Sequence, residues 1–283
     1  MRRRTKHRTL ISMILAFFLA ICFFLIMFSS EMLMGYMGKR NFKDSITESY
    51  YVENAINKMK ADIGTLLETR AVPPELLKEV LDETICYVEI RNYIDATIEG
   101  RKLKVDATEF KVALEEKLYE YLEQNQIYET EGIRSTIDEI VIQSGKIYER
   151  NLQPEFIFEF FEFREQVQTP LIIIIIVALL LGTVIAILLW SLYHHKHRAV
   201  RHMMIALITA LIWNILMTIM IGKAEVLSTL NIGPAMYVDF VKVYVNSGIG
   251  ELWIMSAIAA LLCIAMYSII KYLKHNTRKY KVK

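Results

Sequence analysis

The sequence predicts an all-α integral membrane protein with four transmembrane helices and one extracytoplasmic, bundle-like helical domain between the first helix and the second. Three observations predict it. Apolar residues gather into four charge-free runs, positive charge is confined to the short segments that flank them, and the one long polar segment repeats apolar residues at helical spacing.

The runs are Leu10 to Phe28, Leu171 to Leu192, Met203 to Gly222 and Leu252 to Ile270, in a chain of 283 residues that is 54% hydrophobic. At ~1.5 Å per residue each reaches across ~30 Å of hydrocarbon. A soluble enzyme, a secreted disulfide scaffold and a nucleic-acid-binding protein are poor readings of this patterning.

Charge sets the orientation. Met1 to Thr9, Tyr193 to His202 and Lys271 to Lys283 carry Lys and Arg and no acid, whereas Ser30 to Thr169 holds 17 Lys/Arg against 28 Asp/Glu. Basic flanks stay on the cytoplasmic side. The expected division is a basic cytoplasmic N-terminus (1–9), span one (10–28), an extracytoplasmic helical domain (29–169) and span two (170–192). There follow a basic cytoplasmic loop (193–202), span three (203–222), an outer loop (223–251), span four (252–270) and a basic cytoplasmic tail (271–283). Both termini are then cytoplasmic, in the plasma membrane. The first run is longer than a signal-peptide core and lacks a small-residue cleavage site after it, so it reads as an uncleaved anchor.

This topology leaves 9, 10 and 13 residues inside the cell, short of the ~40 residues a domain needs to fold unaided. No Gly-rich phosphate loop occurs. Cys22 and Cys263 lie in spans and Cys86 stands alone outside, so no disulfide forms within the outer domain. With no N-x-[ST] sequon either, the chain has a bacterial character.

In the outer domain, Val52, Ile56, Met59, Ile63 and Leu66 form one stripe, with Ser45 and Glu48 as its expected capping box. Pro74 opens a second helix through Leu77, Leu81, Ile85 and Val88, ending at Gly100. Lys102 to Val105 reads as an extended connector. Asp106 and Glu109 cap a third helix carrying Phe110, Leu114, Leu118 and Tyr121. A fourth carries Ile133, Ile137, Ile140, Ser144 and Ile147 and ends near Asn151 and Pro154. Short linkers between such helices predict an antiparallel bundle.

After Pro154, five Phe fall within eight residues. Phe156, Phe160 and Phe163 are the candidate partner or interface contacts, set against a simple role at the membrane boundary. In the spans, Ala178, Gly182 and Ala186 stand four apart and, with Asn214, are the candidate helix-packing residues. The apolar runs contain no ionisable residue, which weakens coupled transport. His194, His195, His197 and His202 crowd the loop before span three; without carboxylates or thiols they read as part of a positive-inside anchor and not as a metal site. Ala235 to Val245 reads as a short interfacial helix.

No catalytic, cofactor-binding or metal-ligating set emerges, and the outer domain has no His at all. The function expected is non-enzymatic: the outer helical domain of a multi-pass protein binds a partner or ligand, as a sensor, scaffold or accessory subunit. Its partners are the lipid bilayer, another membrane or cell-surface protein and a second copy of the chain, not nucleic acid. The order of parts is similar to that of the bacterial cell-division and macrolide-export permeases that work with an ATPase. That resemblance is architectural and carries no residues across. It keeps a membrane subunit of an ATPase-linked permease, or a small oligomeric transport component, as the alternative.

Overall fold

A computed structural model describes residues 2–223 and 235–279, with side chains from 7 to 222 and 235 to 275. The stretch 224–234 of the expected outer loop and the end of the tail lie outside these residues. All regular structure among the described residues is helical: α1 (Arg2–Glu31), a π-helical turn (Met32–Tyr36), α2 (Lys39–Glu48), α3 (Tyr51–Thr69), a 3-10 turn (Pro74–Leu76), α4 (Leu77–Val80), α5 (Glu83–Ile98), α6 (Thr108–Gln124), α7 (Glu131–Leu152), α8 (Glu155–Leu192), α9 (Lys196–Lys223) and α10 (Ala235–Lys279). Four stretches of helix are long and apolar enough to cross a membrane, one around each of the four apolar runs. This fits a multi-pass membrane protein.

The described chain forms two compact units, 2–45 with 165–223 and 241–279, and 46–164 with 235–240. The first holds the four spans. α1 and α9 are its closest pair. Ala16, Leu19, Ala20, Leu189 and Ala206 make one core cluster and Met27, Ala210 and Ala259 a second. Alanines make up most of both clusters, as close packing of helices in lipid favours. Trp213 meets Phe17 and Phe24 edge to face, at 6.2 and 5.9 Å. The remaining surface of the spans is apolar and exposed, Ile173, Leu180, Leu216 and Leu262 among it.

The first unit extends to Ser45, beyond the predicted end of span one at residue 28. The π turn explains why. Met37 N–H bonds back to Met32 O at 2.7 Å, closing a five-residue step, and the turn runs against α10. An added Cβ on Gly35 would stand 3.2 Å from Glu251 Cβ, and one on Gly248 would overlap the Tyr36 ring. Tyr244 donates its hydroxyl to Tyr36 O, and Asn41 donates to Gly35 O at 3.0 Å.

In the second unit α7 packs against α3, α5 and α6, and α3 also against α5. Met59, Ile63, Leu67, Ile90, Leu114 and Ile140 are fully buried. Three expectations of the sequence are corrected here. Ser45 and Glu48 do not cap a helix: both lie in α2, and α3 begins after Tyr50, whose φ of 51° turns the chain. The helix expected from Pro74 to Gly100 is broken at Leu81, which is extended, and restarts under Asp82, whose carboxylate accepts from Thr84 and Ile85 N–H. This break resets the helical phase, so Ile85 and Val88 face outward and Cys86, Ile90, Tyr93 and Ile94 form the core face. Gly100, at φ 79°, does end that helix. Lastly, Ala235 to Val245 is no separate short helix but the first part of the 45-residue α10.

Candidate functional site

The second unit carries a groove of about 550 Å³. α5 ends at Ile98, and the extended segment after Gly100 carries Arg101, Lys102, Leu103 and Lys104 along one wall. The first turns of α8 supply Glu155, Phe158, Glu159 and Glu162 on the other. Lys102 Nζ sits 5.8 Å from the centre of the Phe158 ring, within cation–π range. Phe158 remains 41% exposed and Leu103 equally so. A cationic wall, an acidic wall and an apolar floor suit a peptide segment that carries both charges and a hydrophobic side chain.

The three phenylalanines singled out in the sequence part company. Phe156 is taken up inside the unit by Tyr51, Tyr237 and Phe240, with ring centres at 5.6, 5.1 and 5.7 Å. Phe160 is half-buried against Phe161. Phe163 is exposed. Phe158, between them, is the one that faces the groove.

A smaller cavity of about 200 Å³ holds Cys86, Glu89, Asp106, Glu109 and Tyr148. Tyr148 donates to Glu89 Oε2 at 2.6 Å and stacks on Phe110 at 4.7 Å; Cys86 Sγ lies 3.9 Å from its hydroxyl. Burial pushes the Cys86 thiol up to about 11. A nucleophile needs the opposite shift, since the thiolate is the reactive form. Cys86 is therefore expected to resist maleimide at pH 7.5 in the folded protein and to react as α5 and α7 separate in urea. Labelling of native protein at the rate of a free thiol would contradict its burial.

In the first unit, Ala178 and Gly182 of α8 are buried and Ala186 is half-buried. Gly182 faces α1: an added Cβ would lie 3.5 Å from Cys22 Cβ. Asn214 stands deep in α9, where its amide donates to Glu31 Oε1 at 2.7 Å and to Ser256 Oγ at 3.1 Å. Three helices thus meet on one side chain, and Thr218 Oγ1 donates to Asn214 O one turn on. Glu31 and Asn214 are each 1% exposed. Glu31 Oε2 and Asn214 Oδ1 have no partner among the described residues, and no cation pairs with Glu31 there. The sequence reading missed Glu31 because it lies three residues beyond the first apolar run. A buried carboxyl with one unpartnered oxygen can carry a proton there.

The histidines sit close together, His194 to His195 at 5.3 Å and His195 to His197 at 5.8 Å between ring centres. Among the described residues no three His, Cys, Asp or Glu side chains converge as a metal site would require. His202 belongs to a different arrangement, with Tyr193 and Ser12.

No family model, curated protein or solved structure matches this chain.

Proposed function

We propose that this chain is a non-enzymatic plasma-membrane protein, both termini cytoplasmic, whose helical domain stands outside the cytoplasm as an antiparallel bundle and binds another membrane or cell-surface protein. The observation that carries this reading is the groove between Arg101–Lys104 and Glu155–Glu162, which offers both charge signs around an exposed aromatic ring. A photo-crosslinking residue in place of Phe158 tests it in intact cells. One discrete adduct is expected there, and none at Ile142, a still more exposed position on α7. Equal crosslinking at both positions, or none at Phe158, overturns it.

The orientation has its own test. With the native cysteines replaced, single cysteines at Tyr128, 89% exposed, and at His197 are treated with a membrane-impermeant maleimide. Labelling at 128 and protection at 197 are expected. The reverse pattern sinks the topology.

One observation favours a second reading, a transport component. Glu31 held by Asn214 is an ionisable group buried among the spans, the type of residue that marks ion and proton paths. Co-purification of a stoichiometric ATPase would move the assignment to that reading.

A further inference from the structure

At the basic end of the first unit a cavity of about 600 Å³ opens between α1, α9 and the loop that joins α8 to α9. Its mouth carries Arg198, Arg201 and His202. Both guanidiniums are exposed, and neither has a carboxylate partner among the described residues. Below the mouth the walls turn apolar, with Met13, Phe17 and Ala20 on α1 and Ala206 on α9. Between Thr9 and Ala20 the lining follows α1 for eleven residues, or ~16 Å at ~1.5 Å per residue.

The junction is built, not incidental. Tyr193 donates its hydroxyl to Ser12 Oγ at 2.8 Å and lies 2.9 Å from His202 Nε2, its ring stacked on the imidazole at 5.4 Å. Arg8 places its guanidinium 4.5 Å over the same tyrosine ring, and its buried Nε has no partner. Three elements are thereby fixed around a site with cations at one end, no acid in its lining and an apolar slot below. A soluble anion would use only the mouth; the slot needs an acyl chain.

We propose that this cavity seats one acidic phospholipid of the leaflet that meets the basic segments, its phosphate between Arg198 and Arg201 and a chain along Phe17, Ala20 and Ala206. Charge complementarity selects the headgroup, and the lining residues Met13 and Phe17, which are also exposed on the apolar surface of α1, select a lipid as its source.

The full chain, purified in a neutral detergent, is titrated with phosphatidylglycerol, with phosphatidylcholine and with inorganic phosphate, and bound lipid is read by native mass spectrometry and by the shift in unfolding temperature. Binding of one phosphatidylglycerol with little binding of phosphatidylcholine is expected. The R198Q/R201Q variant, changed only at exposed side chains, should lose about thirtyfold in phosphatidylglycerol affinity. K271Q/K274Q removes the same charge from α10 and should change affinity by less than about threefold. Equal losses in the two variants would show diffuse attraction and overturn the site. Equal binding of the two lipids would overturn it as well, and full stabilisation by inorganic phosphate alone would make the occupant a free anion.

Discussion

Replacing Asn214 with leucine lowers the stability of the span unit by about 2–3 kcal/mol, more than the loss of an ordinary hydrogen bond between membrane helices. Such bonds contribute about 0.6 kcal/mol on average, whereas a buried polar group stripped of its partner costs about 1–3 kcal/mol, and an uncompensated buried charge more. Asn214 is the only donor to Glu31 among the described residues, and the carboxyl is almost wholly buried. The second effect therefore wins. In a Glu31→Gln background the same replacement should cost about 1 kcal/mol, because glutamine brings its own donor and no charge. A double-mutant cycle on unfolding in detergent measures the difference. Equal costs of Asn214→Leu in both backgrounds would mean that the two side chains are not coupled.

The other large effect belongs to the second unit. Ile63→Ala removes a fully buried side chain from α3, which packs against both α5 and α7. Cavity formation at such a site costs about 2–5 kcal/mol. With a urea dependence of about 2 kcal/mol per molar, the midpoint should fall by about 1–2.5 M. Cys86, shielded at the α5–α7 contact, reports it when Cys22 and Cys263 have been replaced. An unchanged midpoint would mean that α3 is not part of the cooperative core.

The spans were legible because their signal is local: a run without charge has one physical solution in a chain of this composition. The stripes of α6 and α7 were legible for a similar reason, as Leu114, Leu118, Ile137 and Ile140 repeat without interruption. α5 was not, because two extended residues, Leu81 and Asp82, shift the phase of everything after them, and periodicity read across the break assigns Ile85 to the wrong face. The polar cluster escaped the sequence because hydropathy ends span one at Phe28, while the helix continues to Glu31 and delivers that carboxyl to a partner 183 residues away. The groove was half visible. The aromatic segment after Pro154 drew attention, but its cationic wall comes from a connector some fifty residues earlier. Phe156, taken for an outward contact, finds Tyr237 and Phe240 from a part of the chain that no local pattern brings near.

The π turn at Met32–Tyr36 carries one residue more than an α-helical turn needs. Deleting any one of Met32 to Gly35 removes the extra residue that the closure from Met37 N–H to Met32 O accommodates, so Tyr36, Asn41 and Phe42 would shift relative to Glu31. The hold on Asn214 and the contacts with Tyr244 and Gly248 could then not be kept together. This stretch should accept substitution at Met34, which is 68% exposed, yet reject any change in length, so single-residue deletions here should be far more damaging than the side chains removed would imply.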